Sequence, residues 1–107
     1  MTIVKKALEL AEYDGYNKKC HISESIEELQ EKCIKEYSSF DKLMELFSEI
    51  NSYSFEDLWF INIDAFYVLL KHVNKGLVKQ FEYNRNNKTL KEALIDCLLT
   101  YFELIGE

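Results

Sequence analysis

No proline interrupts the 107 residues of this chain, and glycine occurs only at positions 15, 76 and 106. Proline cannot continue a helix and glycine weakens one, so long stretches free of both favour helices over a loop-rich β architecture. Apolar residues make up 48% of the chain and charged ones 30%, which marks a folded globular protein and not a disordered tail. A chain of this length is one domain, residues 1–107, built around a single core.

Apolar spacing then places the helices. Ile3, Val4, Ala7, Leu8 and Ala11 share one face of a first helix from Thr2 to Tyr13, and the polar stretch 14–20 is a loop. Ser25 and Glu28 form a capping box that opens a second helix reaching Tyr37. Its inner face is Ile26, Leu29, Cys33, Ile34 and Tyr37, and its outer face carries the acid-first pairs Glu28–Lys32 and Glu31–Lys35. A third helix runs from Phe40 to Ile50, burying Leu43, Met44, Phe47 and Ile50. Ser54 caps a fourth, from 55 to 73, which is apolar almost all round and keeps only a narrow ionic stripe of Asp57, Asp64, Lys71 and Lys75. A helix wrapped so fully belongs at the centre, with Gly76 at its C′ position.

Residues 77–83 alternate in a way that permits a short strand, but a lone strand would have no sheet to join, so a short helix or a continuation past Gly76 is expected. Thr89 with Glu92 makes another capping box and starts a last helix, which runs to Ile105 and is closed by Gly106. The expected fold is all-α: a compact bundle of about five helices around the central apolar helix of residues 55–73.

The charges are sorted along the chain. Residues 20–70 carry eleven acids against three bases; residues 71–91 reverse the sign, with Lys71, Lys75, Lys79, Arg85, Lys88 and Lys91 against Glu82 alone. Asp41, Glu45 and Glu49 form one acidic row at helical spacing, and Glu92, Asp96 and Glu103 lie along the last helix, which has no base after Lys91. Like charges four apart on a helix destabilise it by roughly 0.2–0.5 kcal/mol per pair. Either the basic 71–91 segment folds across these rows or they meet a positively charged partner. The last helix also has an apolar arc wider than one core contact needs, because Ile95, Leu99 and Phe102 extend it; it is sandwiched between neighbours or presents an interface, to another protein or in a homodimer.

Other constellations carry less. Asp64 has apolar helical neighbours that could raise its carboxyl toward acid–base use, but the stripe it shares with Asp57, Lys71 and Lys75 makes solvent exposure simpler. Cys20 and His21 lack ligand-pair spacing, and no metal or other cofactor is expected. His72 suits the last turn of a helix. The strip 75–88 mixes bases with Phe81 and Tyr83, yet the net charge of −6 would repel phosphate, so direct nucleic-acid binding is not expected. Three widely spaced cysteines (20, 33, 97) with no CxxC do not make a disulfide framework and suit the cytoplasm. Glu9 and Glu12 break what a signal peptide would need, and Asn62 and Asp64 interrupt the longest apolar run, so no membrane association is expected.

The segment Glu27-Glu28-Leu29-Gln30-Glu31 resembles the EExxE half of the all-α nucleotide pyrophosphohydrolases of the MazG kind, in which helical carboxylates hold Mg²⁺ over a triphosphate. That resemblance implies an Mg²⁺-dependent enzyme using Glu27, Glu28, Glu31 and Asp64. The family's second half, ExxD on a following helix, is missing, and Glu92 with Asp96 is one residue too long. The reading preferred is therefore non-catalytic: a small acidic cytoplasmic protein that engages a basic protein, such as a nuclease or nucleic-acid-binding effector, in the manner of toxin-immunity or phage anti-defence inhibitors. Its expected contact residues are Asp41, Glu45, Glu49, Glu92, Asp96 and Glu103, with Tyr53 and Phe102 as aromatic anchors.

Overall fold

The computed structural model of the chain describes residues 3–14, 26–84 and 88–106. Four helices lie where apolar spacing predicts them: α1 (Ile3–Tyr13), α2 (Ile26–Tyr37), α3 (Phe40–Ser52) and α5 (Leu90–Ile105), with a single turn, α4 (Ser54–Asp57), after α3. Local chemistry fixes their ends. Ser39 is extended and its hydroxyl oxygen accepts from the Lys42 backbone N–H at 3.3 Å, satisfying one otherwise orphaned donor of α3. Thr89 does the same for α5, accepting from Glu92 N–H at 3.2 Å while its hydroxyl donates to the Glu92 carboxylate at 3.3 Å. The Ser25 cap expected for α2 lies outside the described residues.

Residues 55–73 are not a helix, and the fold is α+β, not an all-α bundle. After α4, Leu58 adopts a left-handed conformation (φ 62°), and the chain enters three antiparallel strands in the order β1 (Trp59–Ile63), β2 (Tyr67–His72) and β3 (Leu77–Glu82). The residues in 59–72 are largely aromatic and β-branched, the types that suit a pleated surface. Two breaks divide the run. At 64–67 the Asp64 N–H donates to the Tyr67 carbonyl (2.8 Å), and the Asp64 carboxylate accepts from the Ala65 N–H (2.7 Å). At 73–76 Gly76 takes φ +61°, the conformation that glycine supplies without steric cost; it closes a hairpin where a helix end was expected. His72, placed by its sequence context in the last turn of a helix, is instead buried on β2, where its Nδ1 accepts from the Lys75 N–H at 3.1 Å.

A helical projection misreads this segment because its strands bury one face and half-cover the other. Trp59, Ile61, Val68, Leu70 and His72 are buried, while Phe60, Tyr67 and Leu69 on the opposite face are partly covered. Nearly every position is therefore apolar, and a short apolar run does not distinguish strand from buried helix by periodicity. Once 59–72 is a hairpin, 77–82 has a sheet to join: β3 pairs with β2 in unbroken register from His72↔Leu77 to Tyr67↔Glu82. Tyr83 then ties the end of β3 to the first turn, with its N–H on the Phe66 carbonyl (3.0 Å) and its hydroxyl donating to the Asp64 carbonyl. Asp64 is thus an exposed turn residue and belongs to no helical stripe.

The central element is α5. Ala93, Leu94, Ile95, Cys97, Leu98 and Leu99 are all buried, because the helix packs on α1 and α3 and also against the sheet. Its wide apolar arc is that of a sandwiched helix. No helix among the described residues is long and apolar enough to cross a membrane.

The outer edge of β1 needs a partner for its unpaired backbone groups, and α3 provides one. The Asn51 amide donates to the Ile61 carbonyl and accepts from the Ile61 N–H, both at 2.9 Å, so a side chain takes the place of a fourth strand. Ile61 is fully buried, which makes loss of this pair costly. Asn51→Ala is expected to destabilise the fold by about 1–3 kcal/mol, the cost of leaving buried backbone groups unsatisfied. Urea unfolding followed by Trp59 fluorescence measures this as a lower midpoint at unchanged slope.

Candidate functional site

Three helices end at the same place. Asp14 follows α1, Glu49 and Ile50 lie in the last turns of α3, and Tyr101 and Phe102 lie near the end of α5; together with Leu46, Tyr53 and Asp57 they line a pocket of about 110 Å³. A wider hollow adjoins it, lined by Glu9, Glu12, Tyr13 and Glu103. The stacked rings of Tyr13 and Phe102, with centroids 5.7 Å apart and planes at 7°, separate the two. Behind them runs a ladder of edge-to-face contacts: Phe102 to Tyr101 (5.2 Å), Tyr101 to Trp59 (5.5 Å) and Trp59 to His72 (4.6 Å). These rings fix the pocket wall to the sheet, since each aromatic pair prefers such offset geometry.

The electrostatics are one-sided. A helix C-terminus carries partial negative charge from its unsatisfied carbonyls and is ordinarily complemented by a base. Here α1, α3 and α5 have no basic residue in their last turns, in contrast to α2, which has Lys35. The ends of the three carry Glu12, Glu49 and Glu103 instead. Among the described residues Glu9, Glu12, Glu49, Asp57 and Glu103 form no ion pair, and neither hollow is lined by a lysine or arginine. Burial, then the nearby carboxylates of Asp57 and Glu49, raise the Tyr101 hydroxyl above the usual phenol value.

One acid of the pocket, Asp14, and the acids beside it are matched. Asp14 accepts a 2.5 Å hydrogen bond from the Tyr37 hydroxyl and lies 3.7 Å from the Lys42 ammonium. Lys42 also lies 3.6 Å from both Glu36 and Glu45 and sits over the Tyr37 ring. Burial alone would lower the Lys42 pKa; Glu45, Asp14 and Glu36 together outweigh it and raise it.

The residues expected to bind a partner therefore divide. Glu49, Tyr53 and Phe102 line the pocket, and Glu103 lines the adjoining hollow. Glu45 is shared with Lys42, and Asp41 is exposed in the first turn of α3, at the opposite end of that helix. Glu92 serves the Thr89 cap. Asp96 bridges Lys6 of α1 at 2.6 Å and Lys88 at 3.2 Å. The basic 71–91 segment thus covers Asp96 through Lys88. Lys71, Lys75 and Lys79 are exposed on the β2–β3 hairpin and form no ion pair among the described residues; Arg85 lies outside them.

Glu9, Glu12, Tyr13, Asp14, Asp57 and Tyr101 escape sequence reasoning that looks for acidic rows. Helix ends carrying acids and no bases are the signal that would have found most of them. Cys33 and Cys97 are buried, and burial followed by the Asp96 carboxylate pushes Cys97 up to about 12. Cys20, His21 and the Glu27 side chain lie outside the described residues. Glu28 and Glu31 are exposed on α2, and among the described residues no group of three or more His, Cys, Asp or Glu side chains is arranged to hold a metal ion. Comparison of the chain with protein-family models, with curated proteins and with solved structures finds no match.

The matched acids generate a pH dependence. Burial, then the hydrogen bond to Asp14, hold the Tyr37 hydroxyl far above the ordinary phenol range. A phenol raised in the folded state contributes stability that is complete below its unfolded value of about 10 and is lost as pH rises above it. Urea midpoints are expected to fall from pH 10 upward, and Tyr37→Phe is expected to flatten that fall while lowering stability at neutral pH.

Proposed function

We propose that this protein is a non-catalytic binding protein that engages a basic protein partner through the face where α1, α3 and α5 end. The observation that supports it most is the convergence of three helix C-termini that carry carboxylates and no base. Each such unfavourable charge–dipole contact costs about 0.3–1 kcal/mol; Lys42 reaches Asp14 just past α1, but among the described residues no ion pair reaches Glu12, Glu49 or Glu103. A positively charged surface docked there would. Charges of this kind raise the association rate and set register, while Tyr53, Phe102 and Tyr13 offer the rigid aromatic area on which interface energy concentrates.

Proteins that hold nucleic acid, nucleases among them, present such basic surfaces, so an inhibitor of a nucleic-acid-binding effector fits the chemistry. A toxin-immunity or phage anti-defence role is the setting this implies. The cytoplasm is the matching compartment for a chain whose three cysteines are widely spaced and form no CxxC pair.

Capture from extracts of the source cell tests the reading. The immobilised protein should retain a basic protein at low salt and release it as salt screens the contact. Reversal of the pair Glu49→Lys and Asp57→Lys should weaken retention by roughly tenfold or more, as loss of close interfacial charge pairs does. Reversal at the distant, exposed Glu82 should leave it intact. Equal retention by all three proteins refutes the acidic face as the binding surface.

A further inference from the structure

The pocket between α3, α4 and α5 has a size, a lining and a charge that select among the side chains a basic partner can present. Its volume is about 110 Å³. The pocket is open to the surface and takes a guanidinium or ammonium head; its two carboxylates favour such a cation over a neutral ring. Leu46 and Ile50 give the pocket apolar lining, the aromatic rings of Tyr53, Tyr101 and Phe102 flank it, and the Glu49 and Asp57 carboxylates border it without ion-pair partners among the described residues. Asp14, already engaged by Tyr37 and Lys42, holds one side in place.

An ammonium satisfies the carboxylates as a point charge but is strongly hydrated and loses that water in an apolar pocket. A guanidinium is planar, weakly hydrated, stacks on aromatic rings and spans two carboxylates with its fixed fork of donors. We infer that this pocket seats a single arginine side chain of the partner, anchored by Glu49 and Asp57 and stacked among Tyr53, Tyr101 and Phe102. This rests on the acidic-face reading above and narrows it from a basic surface to one anchoring residue.

Two probes separate the inference from that reading: the blocked peptides acetyl-Gly-Arg-Gly-amide and acetyl-Gly-Lys-Gly-amide, and polylysine, each titrated into the ¹⁵N-labelled full chain. The arginine peptide is expected to shift the amides of residues 49–57 and 101–103 saturably, with millimolar affinity typical of one isolated side chain. The lysine peptide should bind at least about threefold more weakly. Glu49→Gln combined with Asp57→Asn should abolish the saturable shift while the remaining spectrum stays dispersed.

Equal shifts from the two peptides, or no saturable shift at the pocket, overturn the arginine anchor. If polylysine then still perturbs Glu9, Glu12 and Glu103, the acidic face survives without its anchor. If polylysine perturbs nothing there, both readings fall.

Discussion

The burial of α5 on two sides is the constraint on which the rest of the structure rests. The three-stranded sheet has one apolar face that must be buried against another element, and α5 is that element. α1 and α3 equally need a partner for their inner faces, and α5 serves both. Leu94, Leu98 and their neighbours can be buried on opposite flanks because the helix keeps so few polar positions in its middle. Asp96 is the exception, and its surroundings show the cost being met. Its side chain is only 16% exposed, and it is held by Lys6 from α1 and Lys88 from the segment before α5. A carboxylate at that depth requires partners, and those partners fix α1 and the entry of α5 in one place. A residue that looks in sequence like part of a recognition row is, in the fold, part of the frame.

The sheet's two edges are handled by different means. Along β1 the exposed backbone is covered by α3, with Asn51 supplying both a donor and an acceptor to Ile61. Along β3 the strand carries Lys79, Gln80 and Glu82, all exposed, and charged side chains on an edge discourage further pairing. Lys79 lies opposite Leu70, on the same face as the buried residues of β2. A charged, exposed side chain at this edge position makes the addition of another strand more expensive than an apolar residue would.

Helix positions were legible in the sequence where the apolar pattern leaves a polar face, as in α1, α2 and α3, and where a cap marks the start, as Thr89 does for α5. The hairpin was not legible, and the physical reason is specific. Trp59 to His72 has too few polar residues for period 2 to stand out, because Phe60, Tyr67 and Leu69 occupy the face opposite the core. The β-branched and aromatic composition and the turn residues Asp64 and Asn74-Lys75-Gly76 carried the better evidence. Reading 59–72 as helix then removed the sheet that 77–82 required, so one error produced the next. For the site, the sequence showed Glu49, Tyr53, Phe102 and Glu103 as unusual, but not that Asp14, Asp57 and Tyr101 join Glu49, Tyr53 and Phe102, since that depends on where helices end relative to one another.

The sorted charges that prompt a functional reading can now be separated by what each does. Most acids of α2, the Lys42 group and Asp96 have a base beside them or face solvent singly, as in any globular protein. Glu12, Glu49 and Glu103 stand instead at three helix C-termini, where the backbone adds its own negative potential. Scarcity of lysine does not explain that gathering. Lys35 stands in the last turn of α2, and Lys71, Lys75 and Lys79 remain on a hairpin without ion-pair partners among the described residues. A protein has only about 5–15 kcal/mol of net stability, and several contacts each unfavourable by a few tenths of a kcal/mol or more consume a visible share of it. An arrangement that weakens the free protein, and that a cation would reverse, would be stabilised by a complex that supplied one. That coupling is why the helix ends, and not the acidic rows themselves, carry the functional argument.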